Sequence, residues 1–268
     1  MPPFMTSRLL AIVLTSLTLL AGCGGKQAPL VPGAAQADQF LHERGTAAFA
    51  DKKWLQAREY FRQVVDNYPQ SPYRPDAKLS VGDTYIGEHS TESLLLAVNE
   101  FREFLTFYPT SSRADYAQFR LATALAEQML APERDQSNTR EAIKELQVFL
   151  DRYPNSALLP DVKAQMRSAK DHLSEASYRV GFYYFRSKWY PGAVDRFREV
   201  LRADPDFTRR DAVYYHLAES LLKGNTEAAK AEALPYFERI LKEFEQSSYL
   251  EPARKRVGEL RSTPLAQR

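Results

Sequence analysis

A small residue, a large apolar one four positions later and a Pro twelve positions later recur through this chain. This pattern restricts its fold more than any other feature. Ala57, Phe61 and Pro69 form the first set, Ala97, Phe101 and Pro109 the second, Ala142, Leu146 and Pro154 the third, and Ala193, Phe197 and Pro205 the fourth. Tyr68, Tyr108 and Tyr153 stand directly before the first three prolines, while Asp204 takes that place in the fourth set. Ala233 and Phe237 begin a fifth set, with Glu245 where the Pro would fall. Positions i and i+4 share one helix face, and Pro cannot continue a helix, so each set reads as an amphipathic helix with a fixed end. Composition agrees: Gly is scarce at 11 of 268 residues, aromatics reach 12%, and hydrophobic residues at 44% suffice for a core.

The repeat predicts helix pairs. Gly45 and Gly181 lie twelve residues before Ala57 and Ala193, where a missing side chain lets the preceding helix approach closely. Tyr184, three residues after Gly181, completes a pattern similar to that of tetratricopeptide repeats. Successive Ala spacings of 40, 45, 51 and 40 exceed the ~34 residues of that repeat, so extra residues must lie in longer helices or in loops. Thr91-Glu92-Ser93 and residues 131–138 read as loops, and Ser71, Ser111, Ser156 and Ser247 as N-caps of the helices that follow. Between Asp161 and Arg186 there is no Pro and only one Gly, which predicts one long continuous helix. The fold class is therefore all-α: a tetratricopeptide-like superhelix of about five helix pairs, with a long helix joining N- and C-terminal groups.

Leu9 to Leu20 carry no charge, but twelve residues fall short of the ~20 that span a bilayer. Leu20-Ala21-Gly22-Cys23 follows, and Cys23 is the single Cys of the sequence. This is the form of a bacterial lipobox: residues 1–22 are expected to be a signal peptide and Cys23 the lipid attachment site. Residues 23–37 read as the lipidated Cys and a flexible tether, 38–158 as N-terminal repeats, 159–255 as the long helix with C-terminal repeats, and 256–268 as a polar tail.

Signals for chemistry are sparse. Lys and Arg number 36 against 34 Asp and Glu, for a net charge of +2, which offers no basic excess for nucleic acid. No phosphate loop, nucleophile elbow or His-Glu-x-x-His helix occurs, and one Cys rules out a disulfide framework. His172 with Glu175 is a weak metal pair better read as a solvated helix face, and Asp135 with Arg140 suits a capping or loop role. No catalytic, cofactor or metal site is expected, and the chain is not read as an enzyme. On the concave side of such an array, Tyr178, Phe182 and Phe185, and His42, Thr46 and Phe49, serve either packing or the lining of a groove for a peptide or partner domain.

Lipobox, tether and five spaced repeats together resemble BamD (the YfiO/ComL family), the lipoproteins of the outer-membrane β-barrel assembly machinery. The likeness is carried by Thr139-Arg140-Glu141-Ala142, Arg152-Tyr153-Pro154-Asn155-Ser156, Leu173 to Tyr184, Trp189 to Phe197, and Tyr68-Pro69-Gln70-Ser71-Pro72-Tyr73. The resemblance implies an outer-membrane, lipid-anchored protein on the periplasmic side. Such a protein scaffolds the insertion of unfolded β-barrel substrates beside accessory lipoproteins. It further implies that Arg196 contacts the periplasmic domains of BamA, and that Tyr68 and Tyr73 lie on the substrate side. The lesser alternative for Arg196 is a solvated helix residue, while Tyr68 has an equally good reason to be there as helix-end packing. The other reading is a different outer-membrane repeat adaptor, pilotin-like or Tol-associated.

Overall fold

The computed structural model describes residues 36–262, and among them there is no strand. Eleven helices follow one another: α1 (Ala37–Ala50), α2 (Trp54–Asn67), α3 (Arg74–Glu88), α4 (Thr91–Phe107), α5 (Ala114–Ala126), α6 (Ser137–Arg152), α7 (Leu159–Arg186), α8 (Tyr190–Ala203), α9 (Arg210–Leu222), α10 (Glu227–Glu243) and α11 (Leu250–Ser262). Each packs chiefly against its neighbours in the chain, which makes five antiparallel pairs and one closing helix. Because α11 runs through Ser262, Arg256 belongs to the folded body; its guanidinium meets the buried Glu219 of α9 at 3.0 Å through Nη2. The predicted long helix is α7, of 28 residues.

The repeated residues build the interior. Ala57, Ala97, Ala142, Ala193 and Ala233 have no exposed surface, and Phe61, Phe101, Leu146, Phe197 and Phe237 are buried beside them. A Cβ added at Gly45 would come within 2.6 Å of the Phe61 ring, and one at Gly181 within 2.8 Å of Phe197. The close approach read from the sequence is thus a glycine backbone laid flat on the aromatic ring of the paired helix. Gly82 repeats it against Phe101, at 2.6 Å. The sequence spacing hid this third instance, because Gly82 lies fifteen residues before Ala97 instead of twelve. The three extra residues are Thr91-Glu92-Ser93, which form no loop. They are the first turn of α4, closed by a reciprocal capping box in which the Ser93 amide donates to Ser90 Oγ at 3.0 Å and the Ser90 amide to Ser93 Oγ at 2.8 Å. The connection between α5 and α6 is residues 127–136, so of the expected loop over 131–138 the last two residues, Ser137 and Asn138, belong to α6.

Every link from an even-numbered helix to the next odd-numbered one has the same construction. The amide of Ser71 donates to Tyr68 O and that of Arg74 to Ser71 O, and the pattern recurs at Tyr108/Ser111/Ala114, Tyr153/Ser156/Leu159, Asp204/Phe207/Arg210 and Phe244/Ser247/Leu250. The serines do not cap the helices directly, as their spacing suggested. Ser71, Ser111, Ser156 and Ser247 each accept an amide two residues on, closing the short turn that leads into the helix. Two of these hydroxyls then reach back one full repeat: Ser156 Oγ donates to Asp115 at 2.6 Å and Ser247 Oγ to Asp211 at 2.5 Å. Thr208 does the same to Asp171 at 2.6 Å, and Ser71 holds the Asp38 carboxyl below the ordinary range. These bonds tie odd-numbered helices to one another, and between α3 and α5 the tie is Arg113 Nη1 to Asp76 at 3.4 Å.

The core is divided into three apolar clusters. One spans α1 to α6 around Phe61, Phe101 and Leu121; a second joins Ala122, Leu146, Phe149, Val162 and Met166; the third fills α7 to α11 around Phe197, Tyr214 and Phe237. Helix α7 belongs to the last two, through Val162 and Met166 at its start and Tyr178 near its end.

Candidate docking surfaces

The fourth link breaks the Tyr-Pro pattern for a visible reason. Asp204 is 7% exposed and receives Arg167 Nη1 of α7 at 3.0 Å, Arg167 Nη2, and the Ser174 hydroxyl at 2.7 Å. Burial pushes the Asp204 carboxyl up, but the Arg167 and Ser174 hydrogen bonds outweigh it and hold the group below its ordinary value. A carboxylate replaces the aromatic ring here because the long helix presents a guanidinium at this place.

On the inner side of α7, Tyr178 and Phe182 stack with centroids 6.0 Å apart, and Phe182 and Phe185 at 6.3 Å. His216 of α9 stands edge-on to Phe182, Phe185 and Tyr249 at 5.0, 5.2 and 5.4 Å. Its Nδ1–H donates to Ala212 O at 2.7 Å and lies 3.2 Å from Tyr178 Oη. Burial pushes the His216 imidazole down, so the ring filling this aromatic cage is neutral at pH 7. The Tyr178 phenol is pushed up, first by burial and then by Tyr249, and stays protonated. Tyr178 is buried while Phe182 and Phe185 are half-buried; Tyr178 and Phe182 both pack and line an opening, and Phe185 packs beside His216.

That opening is a cleft of about 810 Å³ bounded by α7, Glu133 of the α5–α6 connection, Arg209 and Tyr249. Arg179 pairs with Glu133 and, at 2.9 Å, with Glu175; Arg209 Nη1 meets Glu175 at 2.7 Å. Glu175 is therefore held between two arginines, and His172 Nε2 lies 2.6 Å from Leu130 O, so these two residues do not face one ion. Among the described residues no group of three or more His, Cys, Asp or Glu side chains is placed to hold a metal. Asp135 receives the Ser137 amide at 3.1 Å and its hydroxyl at 2.9 Å, at the start of α6.

At the other end, Tyr68 and Tyr73 flank the α2–α3 link and both are half-buried. The Tyr73 ring stacks on His42 at 5.1 Å, and His42 contacts Phe61 at 5.7 Å. Thr46 is exposed and donates to His42 O, and Phe49 packs on Trp54. Arg196 lies on α8 beside the buried Phe197, with its side chain 47% exposed and paired to Glu199 at 2.8 Å. Helix α8 packs on α7 and α9, whereas the helices flanking Tyr68 and Tyr73 pack chiefly on α1, α4 and each other, so the structure does not gather these three into one site. Cys23 lies outside the described residues, and no helix within them is long and apolar enough to cross a membrane.

Known proteins of similar sequence can now be set beside this geometry. An "Outer membrane protein assembly factor BamD" of Caulobacter vibrioides is 27% identical over 224 residues, covering 82% of this chain and 72% of that protein. The protein of the same name from Xylella fastidiosa (strain 9a5c) is 25% identical over 244 residues, covering 84% and 82%. Among solved structures, the TPR2AB domain of yeast Sti1 in its pHSP90 complex aligns with a TM-score of 0.43 at 10% identity, covering 85% of this chain and 99% of that one. The family described as "YfiO: Outer membrane lipoprotein" matches residues 34–233. That match runs from α1 into α10, well over half of the sequence, and the chain belongs to this family of outer membrane lipoproteins.

Proposed function

We propose that this protein is a non-catalytic scaffold of outer-membrane protein assembly, anchored through lipid on Cys23 at the periplasmic side of the outer membrane. The observation that carries this reading is the family match across the repeat array, together with relatives named as outer membrane protein assembly factors. The array suits the role. Its exposed surfaces carry ion pairs and an aromatic cleft, and frames of stacked helix pairs bind partners along extended faces.

Cys23→Ser should release the protein from the membrane fraction or leave it as unprocessed precursor. Fractionation after a salt wash checks this, and a variant that stays with the outer membrane would remove the anchor. Pull-down from detergent-solubilised outer membranes then identifies the partner. BamA among the captured proteins supports the proposal, whereas a secretin or Tol proteins would replace it.

Within this reading Arg196 contacts a periplasmic domain of BamA, and Tyr68 and Tyr73 meet the unfolded β-barrel substrate. Arg196 is exposed and its pair with Glu199 is a one-turn surface pair, whose loss costs the fold only about 0.3–0.5 kcal/mol. Arg196→Glu should therefore melt within about 2 °C of wild type. Its affinity for purified BamA periplasmic domains should fall roughly tenfold or more, about 1.4 kcal/mol. Unchanged affinity would return Arg196 to the solvated surface.

A further inference from the structure

The cleft beside α7 has features that packing alone does not require. Its floor is aromatic and held from behind: Tyr178, Phe182 and Tyr249 face the opening, and the neutral His216 ring packs edge-on against the last two. Its rim is cationic, with Arg179, Arg186 and Arg209. Both carboxylates of the lining, Glu133 and Glu175, are already committed to Arg179 and Arg209, and the Glu175 side chain is only 14% exposed. Arg186 makes no ion pair among the described residues and is exposed at the C-terminal end of α7. Tyr183, on the same rim, leaves 67% of its surface in water. A concave surface with an ordered apolar floor and one unpaired guanidinium, Arg186, on its rim is the form that ligand sites take.

The geometry points to this cleft as a docking site for an acidic peptide segment, one whose carboxylate is taken by Arg186 while a neighbouring aromatic side chain seats on the Tyr178–Phe182–Tyr249 floor. Charge decides the class of occupant. Three guanidiniums face two carboxylates that are both engaged, so a basic segment would find no free partner and would meet repulsion. The planar guanidinium of Arg186 can hold a carboxylate through two parallel N–H donors. The Arg209 guanidinium lies over the Tyr178 ring, 5.4 Å from its centroid, while its charge is met by Glu175, so the excess positive charge of the cleft is that of Arg186. The prediction rests on residues other than Arg196, and a failure of the BamA pull-down leaves it standing.

The test uses the folded chain and a Glu-Phe-Glu-Phe-Glu peptide amide carrying fluorescein on its N-terminus, followed by fluorescence anisotropy. Saturable binding is expected, weakened at least fivefold by Arg186→Glu and by Tyr183→Ala. Both positions are exposed, so the variants should keep wild-type circular dichroism and melting. Peptides with Lys in place of Glu, or Ala in place of Phe, should each bind at least fivefold more weakly. Absence of saturable binding, a smaller loss in either variant, or equal binding of either control peptide would overturn the proposal. Sedimentation of the free chain provides the remaining arm: self-association abolished by Arg186→Glu would make a second copy the occupant and would overturn it too.

Discussion

Asp204→Ala should cost this protein about 2–4 kcal/mol. Removing one partner of a buried pair costs about 3–5 kcal/mol, because the other charge is left uncompensated. The Arg167 side chain keeps 32% of its surface exposed and retains Asp171 at 3.0 Å, which trims that figure. One fact works the other way: the Ser174 hydroxyl would lose its acceptor. For a chain of this size the loss corresponds to a fall in Tm of roughly 6–12 °C. The effect has a pH signature. The folded-state pKa of Asp204 lies below its unfolded value, so its stabilisation is present above about pH 4 and vanishes as pH falls through the lowered folded value. Melting curves of wild type and variant should therefore differ most near pH 7 and converge in acid. A constant gap down to pH 2 would show that the carboxylate's charge is not the source of its contribution.

Phe197→Ala should be costlier, about 3–5 kcal/mol, as for other large-to-small changes in a closed core. The ring has no exposed surface. It lies against Gly181, 5.7 Å from the Tyr178 centroid and 6.1 Å from His216, so the cavity would open where α7, α8 and α9 meet. On the Gly181 side there is no side chain to lean in and refill the space. Phe197→Leu should lose less than half as much, since Leu146 fills the equivalent position of the third repeat without strain on the pattern. Urea unfolding followed by circular dichroism measures both. Equal losses for Ala and Leu would mean that the aromatic ring's shape, and not its volume, is what Gly181 accepts.

What the sequence made legible was local. A small residue and a large one four positions apart, with Pro closing the helix, are dictated by one helix and its end. Hence Ala57 and Phe61, or Ala193 and Phe197, could be assigned to the interior before any packing was known. The long α7 followed from an uninterrupted run between prolines. Length changes were harder: an added turn at the start of α4 looks polar, like a loop, and it moved Gly82 out of phase with its partner. The docking surfaces lay further from view. The Asp204–Arg167 pair, the Ser156–Asp115 bond and the meeting of Glu133 with Arg179 join residues about forty positions apart, across a helix whose rotation no single periodicity records. Asp204 was the clue that could be read, as a place where the repeat departs from its own rule.

Helix α7 also has a mechanical consequence. At about 1.5 Å per residue its 28 residues make a spar roughly 42 Å long. Its first turns are cemented into the third repeat by Val162 and Met166, and its last turns into the fourth by Tyr178. Arrays of short helix pairs bend at any junction, because each unit grips only the next. Here the junction where the two halves would hinge is bridged by one unbroken rod. A push on the last repeats is therefore delivered to the first as a change of tilt, with little lost to flexing between them.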